Sequence, residues 1–325
     1  MVVFIAAQAD RIPCFFPLAG GMQASAIRLR RDAGHLKRPA MTVSSISVVM
    51  PVFNGERHLA EAIDSVLAQS VAPCELIAVD DGSTDGSAQL LERYGDRLTV
   101  LSQPNGGQSL ARFRGTEMAS GEFLAFIDQD DIWDPQKLAR QIDLLQRFPA
   151  ALATYCDHRG IDDAGTVTAV TGSGYGLRGS GQILSALLRG NFVRSASLVM
   201  VRRQAYELAG KFLRERFFWS DDYSMWMRIA AHGPVIYQAE TLVSYRQHSG
   251  NTSGDVYEKA LGDAHALGTL VDHLRAAGLT RHMNAALAAQ REAMRSAAWH
   301  CIRRREFARA LSYRVKAVTS LWSTQ

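Results

Sequence analysis

The feature that most constrains this chain is a unit repeated between residues 46 and 150. A short apolar, β-branched run ends in polar loop residues and is followed by a segment of helical period. Ile46 to Phe53 (ISVVMPVF) is the first such run, and Leu59, Ile63, Val66 and Leu67 after it share one helical face. Glu75 to Val79 (ELIAV) comes next, with Asp85-Gly-Ser as the cap of a helix through Leu90 and Leu91. Leu98 to Leu101 reads as a third strand and Ser109 to Ala119 as a helix. Phe123 to Ile127 (FLAFI) reads as a fourth strand, and Pro135 opens a helix reaching Phe148. Such alternation predicts an α/β fold: a Rossmann-like, mainly parallel sheet with flanking helices on both faces. The unbroken apolar strands fit that arrangement, because both faces of each strand are covered.

Past residue 150 the pattern loosens. Ala151 to Tyr155 and Leu198 to Val201 read as strands, and the Gly- and Asp-rich stretch 160–181 reads as a loop. A helix over Asp222 to Ala231 is stopped by Gly233-Pro234, and Val235 to Tyr237 and Thr241 to Tyr245 read as two short strands. From Tyr257 onward the chain is Ala-rich and helical. The expected organisation is a loosely ordered basic leader at 1–40, an α/β domain over 41–255 and a helical C-terminal appendage over 256–325.

Charge narrows the partners. The formal excess is +4, and residues 1–40, with six basic and two acidic side chains, hold all of it. The rest balances at zero, so the body has no electrostatic footprint for nucleic acid. Met41, just before the first strand, is the expected working start. The tail 291–316 is the local exception, with eight basic residues and two acids. A hydrophobic share of 47% and a charged share of 21% exclude a disordered chain. No apolar run approaches the ~20 residues that a spanning helix needs, which excludes a multi-pass membrane enzyme. Cys14, Cys74, Cys156 and Cys301 form no C-x-x-C pair and read as isolated thiols of a cytoplasmic protein.

The chemistry lies where the strands end. Ligands of open α/β sheets bind outside the carboxyl ends of the strands. Here ELIAV runs into Asp80-Asp81-Gly-Ser-Thr-Asp85, and FLAFI runs into Asp128-Gln-Asp130-Asp131. Asp85 reads as a cap alone. The other five acids on one rim would repel one another unless a cation neutralised them. Oxygen ligands of this kind suit Mg²⁺ or Mn²⁺, which commonly bridge to phosphate.

The stretch S-V-V-M-P-V-F-N-G, then A-V-D-D-G-S-T-D-G-S, N-G-G-Q-S-L-A-R and F-I-D-Q-D-D-I-W resembles the family-2 glycosyltransferases of the GT-A fold. The resemblance covers 46–135 closely and continues more weakly to about residue 250. It implies a nucleotide-sugar donor. Pro51 and Phe53 match positions lining the nucleoside pocket, Asp81 matches the acid that contacts the base, and Asp80 beside it contacts the donor or orients the loop. Arg112 matches a basic position near the donor, although Phe113 stands where relatives often have Asn. Asp128 and Asp130 match the metal-binding D-x-D pair, Asp130 as the direct ligand and Asp128 nearer ribose or water. Without the motifs, Phe53 would read as core packing and Arg112 as a solvated helix face.

Ser220-Asp221-Asp222-Tyr-Ser-Met-Trp226-Met-Arg228 resembles the family's acidic pair followed by W-x-R, with Asp221 in place of the usual Glu. Asp222 matches the catalytic base, and a carboxylate within hydrogen-bond reach of a sugar hydroxyl removes its proton as attack proceeds. Its alternative is an acid favoured by a helix N-terminus. His248, in Tyr245-Arg-Gln-His-Ser-Gly-Asn-Thr-Ser, resembles a position that binds metal or diphosphate in some relatives. The resemblance therefore implies a metal-dependent, inverting transfer of a sugar to a hydroxyl acceptor, a glycan or a lipid-linked sugar, in surface-glycan or polysaccharide assembly. The lack of spanning helices and of Q-x-x-R-W points to non-processive addition.

Rival readings are a sugar nucleotidyltransferase, which would want a Gly-rich basic loop after the first strand, and an inactive nucleotide-sugar-binding module. Gly174 to Gly179 fits G-x-G-x-x-G but lacks the acid some twenty residues on, so it reads as a loop over the acceptor site. In the tail, Trp299, Ile302, Phe307, Leu311, Val318 and Trp322 line one side of a helix pair. That side packs on the body by default, or makes a peripheral contact, through 291–325, with the inner face of the membrane.

Overall fold

The computed structural model describes residues 45–170, 179–214, 220–248 and 255–319, all in one compact unit. The leader, most of the Gly174–Gly179 motif and Trp322 lie outside the described residues. β1 (Ile46–Val52), α1 (Leu59–Leu67), β2 (Glu75–Asp80), α2 (Ser87–Arg93), β3 (Thr99–Ser102), α3 (Gln108–Met118) and β4 (Phe123–Phe126) follow in the predicted order. β5 (Ile132–Trp133), α4 (Lys137–Arg147), β6 (Ala153–Ile161), β7 (Val167–Val170), α5 (Leu184–Leu187), β8 (Val199–Arg202), α6 (Arg203–Leu208), α7 (Asp221–His232) and β9 (Val235–Arg246) complete the α/β body. α8 (Val256–Ala276), α9 (Met283–Arg303) and α10 (Phe307–Thr319) close the chain.

Among the described residues the strands form one sheet in the order β3-β2-β1-β4-β8-β6-β9-β5, with β7 on β6. The first four are parallel, as alternation with helices requires. Beyond β4 the sheet is mixed: β8 is antiparallel to both β4 and β6, and β9 is parallel to β6. β7 lies inside the expected loop 160–181, and the tight turn from β6 makes the pair antiparallel. The two short strands expected over 235–245 are one strand, β9, which runs through Gln238-Ala-Glu and shifts register against β6 near Asp157. Gln238 pairs with Cys156, while Ala239 and Glu240 bulge out before Thr241 pairs with Asp157, so this stretch carries no strand pattern.

Every residue of β1 is buried, and the core continues through β2, β4 and the inner faces of α1, α3 and α4. Gly115 lets α3 lie close on β1, since a Cβ there would stand 2.4 Å from Val49 Cγ1. Pro51 ends the pairing of β1 with β4. The ladder stops at Val49 and Phe126 with the bond from Ile127 N–H to Val49 O, and the next donor on that edge would be the N–H that Pro51 lacks. The chain after Phe126 is thereby released into the Asp128–Asp131 loop.

The C-terminal helices share the core. The second half of α8 and the first half of α9 contribute Leu267, Leu270, Val271, Leu274 and Leu287 to the main cluster. Their other halves form a second, small-residue cluster with α10 around Tyr257, Ala297, Cys301, Ala310 and Ala317. The large residues expected to pack there do not. Trp299, Phe307, Leu311 and Val318 are exposed, and only Ile302 packs against the cluster.

Candidate active site

Three loops are laced together above the carboxyl ends of β1, β2 and β4. The Gln129 amide accepts from Phe53 N–H at 2.7 Å and donates to Phe53 O at 3.0 Å. Asn54, in the left-handed region at φ 50°, receives Thr84 N–H at 2.8 Å, and its own N–H reaches Ser83 Oγ at 3.0 Å. Gly55 N–H donates to Ser87 Oγ at 2.8 Å. Phe53 is 43% exposed on this rim, so it is not core packing, whereas Pro51 is buried within β1. Asp85 caps α2 by accepting from Ser87 N–H, and its second oxygen accepts from Glu56 N–H.

The acids after β2 are held by their own loops. Asp80 accepts from Ser83 N–H at 3.0 Å, which makes it a turn former. Asp81 is buried, and its carboxylate accepts from the Gln103 amide at 2.6 Å and from the N–H groups of Gly106 and Gly107, each at 2.7 Å. Gly82, at φ 76°, makes this loop possible, since a Cβ there would meet Asn105 N at 2.9 Å. The Asp81 side chain is thus directed at the loop before α3.

Two of the acids after β4, Asp128 and Asp130, meet basic side chains. Arg112, on α3, is buried and is no solvated helix face. It donates to Asp128 Oδ1 at 2.6 Å and to Asp221 Oδ2, at the start of α7, at 2.7 Å. Asp128 also accepts from Ser195 Oγ at 3.1 Å, and Asp221 from the Gln108 amide at 3.0 Å. Asp130 Oδ2 lies 3.0 Å from His248 Nε2. Burial, and then the charge of Asp128, push the Asp130 carboxyl above its usual range, with His248 pulling it down. Asp131 is fully buried and accepts from Arg246 N–H at 3.1 Å; burial, then Asp130 and Asp128, push it well up.

Asp222, half-buried beside Asp221, accepts from Tyr223 N–H at 2.6 Å. Burial, then the Asp221 charge, push its carboxyl up to about 8 against the pull of Arg112. Ser220 precedes it at φ 62° and donates to Asp263 on α8 at 2.7 Å, tying the acidic end of α7 to the C-terminal helices.

The structure therefore brings Arg112, Asp128, Asp221 and Asp222 into one connected group, with Asp130 and His248 alongside. Several of its members were not singled out by sequence. Arg246 is buried, donates through Nε to Asp130 O at 3.0 Å, pairs with Glu61 at 2.6 Å, and reaches the carbonyls of Asp162 and Asp163. His58 bonds Asp163 at 2.8 Å, and its ring centroid is 5.5 Å from that of His248. An arginine two residues before His248 was the available signal for Arg246; the partners of His58 lie more than a hundred residues away.

Asp130 and His248 offer a carboxylate oxygen and an imidazole nitrogen side by side, a donor pair that a divalent ion accepts. Asp128, in contrast, already has one oxygen on Arg112 and the other on Ser195. Among the described residues, no three His, Cys, Asp or Glu side chains are grouped to hold a metal. In this loop Asp128 faces Arg112, Asp130 faces His248, and the Arg246 Nε donates to the Asp130 carbonyl.

Comparisons with known proteins bear on the family and the fold. The family model described as Glycosyl transferase family 2 matches residues 47–208. An uncharacterised glycosyltransferase of Nostoc sp. is 34% identical over 215 residues, covering 63% of this chain and 66% of the relative. The putative teichuronic acid biosynthesis glycosyltransferase TuaG of Bacillus subtilis is 35% identical over 112 residues, covering 33% and 44%. The chain spans about a third to two thirds of the length of the curated relatives it matches. Among solved structures, residues 1–349 of S. aureus TarS in complex with UDP-GlcNAc align with a TM-score of 0.53 at 17% identity, over 86% of this chain and 92% of that one. That likeness shows the fold, an α/β GT-A fold with C-terminal helices.

Proposed function

Because the chain belongs to the family-2 glycosyltransferases, we propose that it transfers a sugar from a nucleoside-diphosphate sugar to a hydroxyl acceptor during glycan assembly. The observation that carries the reading is the Arg112 bridge. It joins Asp128, just past the end of β4, to Asp221, the neighbour of Asp222, so that the two motifs stand side by side. TarS with UDP-GlcNAc on the same fold, and TuaG in teichuronic acid synthesis, support a nucleotide-sugar donor and a glycan or lipid-linked acceptor.

In the proposed step, the acceptor oxygen attacks the anomeric carbon as the bond to the diphosphate oxygen breaks, and the configuration inverts. Asp222 takes the proton of the acceptor hydroxyl. Its raised proton affinity makes it a stronger base than an exposed Asp once it is ionised. Arg112 is engaged with both flanking acids, so it acts by positioning Asp128 and Asp221 as well as by its charge. The exposed ring of Phe53 suits stacking with the nucleobase, while Pro51, Asp80 and Asp81 shape the loops around it. Mg²⁺ or Mn²⁺ would be held by Asp130 and His248, with Asp128 behind them. When bound, it would offset the charge that grows on the leaving diphosphate.

The test is nucleoside-diphosphate release from a panel of nucleotide sugars, with and without glycan acceptors. Release that is stopped by Asp222→Asn and by EDTA, and restored by Mn²⁺, is expected. Pyrophosphate release would assign a nucleotidyltransferase instead. Donor binding without turnover on any acceptor would assign a binding module.

A further inference from the structure

The third C-terminal helix is apolar on two sides, and only one is covered. Ala310 and Ala317 face the second cluster, with Tyr313 packed beside them. At ~100° per residue, Phe307, Leu311, Val315 and Val318 fall within about 80° of arc next to that buried side. They are 64%, 63%, 51% and 57% exposed. A helix that needed only to pack on α8 and α9 would carry polar residues there. Trp299, exposed near the end of α9 with Arg303 stacked on its ring at 4.8 Å, adds a large aromatic close by in sequence.

Charge identifies what covers this stripe. From Arg303 to Val318 there are six basic residues (Arg303, Arg304, Arg305, Arg309, Arg314 and Lys316) against Glu306, a net of +5 where the whole chain has +4. Arg304 and Arg309 are turned onto Tyr257, with ion pairs to Asp255 and Glu306. Arg305, in the turn before α10, and Arg314, beside the stripe, form no ion pair with a described residue. Lys316 lies on the face opposite the stripe. A second copy of the chain docking by a two-fold axis would set this positive stretch against itself. An anionic bilayer would accept both features, with the stripe among the acyl chains and the arginines at the headgroups.

We propose that the exposed stripe of α10 with its flanking arginines is a docking surface for anionic membrane, on which the protein lies peripherally. No helix among the described residues is long and apolar enough to cross a bilayer, so the contact is one of lying on it. The link from Ser220 to Asp263 on α8 connects the docked helices to the acidic end of α7. The docking itself does not depend on the transfer reaction.

The test is sedimentation of the full-length chain with vesicles of phosphatidylcholine alone, or of phosphatidylcholine with about a third phosphatidylglycerol. Binding to the anionic vesicles only is expected, and it should weaken as salt is raised. Leu311→Ser with Val318→Ser should lower the binding about tenfold, and Arg305→Glu with Arg314→Glu should lower it similarly. Val167→Ser, a change at an exposed apolar residue of β7, should leave binding unchanged, and circular dichroism should show every variant folded. The proposal is overturned by equal sedimentation with both vesicles, by variants that bind as the parent does, or by light scattering that shows a dimer which the stripe variants dissociate.

Discussion

Two strand ends on this rim look alike in sequence and are handled in opposite ways. After β2, the pair Asp80-Asp81 is satisfied by N–H groups, all but one from backbone, so its charge is used up in shaping loops. After β4, Asp128, Asp130 and Asp131 follow within four residues, two of them with raised proton affinity; Asp128 meets Arg112 and Asp130 meets His248, while Asp131 takes the backbone N–H of Arg246. A carboxylate that accepts neutral donors stabilises its surroundings, whereas carboxylates that crowd one another hold charge for a ligand at the expense of stability. The difference teaches that acids placed alike at strand ends part according to what bonds them.

The sharpest way to break this comparison is to substitute one acid from each end. Asp130→Ala should abolish nucleoside-diphosphate release while the melting temperature holds or rises, because a repulsion with Asp128 disappears. Measurable turnover in that variant would remove Asp130 from the site. Asp81→Ala should do the reverse. It strands the Gln103 amide and two backbone donors in a buried loop, so denaturant titration should show a loss of roughly 2–4 kcal/mol. Unchanged stability with lost donor affinity would put Asp81 on the donor and erase the distinction.

Acidity sharpens it further. Burial, then the Asp221 charge, push the Asp222 carboxyl up to about 8 in the folded chain, above the ordinary 3.8. Between those values the folded state keeps a proton that the unfolded state has lost, so this group makes stability fall as pH rises towards 8. The base form grows over the same range, so kcat/KM should climb to a plateau above about pH 8. Asp222→Asn should lessen the slope, leaving the part that belongs to Asp130 and Asp131, and remove the activity; an unchanged slope would assign it elsewhere. The smallest effect belongs to Phe53. Being exposed, it should tolerate Ala with a stability change within about 0.5 kcal/mol. The KM for the donor should rise several-fold, and an unchanged KM would free the ring of any role in binding.

Legibility followed the range of the forces involved. The first four strands and their helices were readable because apolar runs and helical period are local signals, and their parallel order follows from the connections. In the mixed outer half β6, β8 and the two ends of β9 were readable, whereas β7 and the bulged middle of β9 were not, because neither shows an apolar alternation. In the rim, the clustering of acids was visible, but the identity of their partners was not. Arg112 meets Asp221 across 109 residues, and Arg246 meets Glu61 across 185. The apolar tail was equally visible, although its default burial was the wrong outcome: small residues fill the helix contacts and the large ones face outward.

By itself the sequence determined the family, the alternation that builds the parallel half, and the placing of carboxylates at strand ends, because each is written in neighbouring residues. Only the tertiary structure decided which carboxylates are bonded by loop N–H groups and which stand beside Arg112 and His248. That depends on distance and burial between segments far apart in the chain, where Coulomb energies and desolvation act and no local pattern can register them.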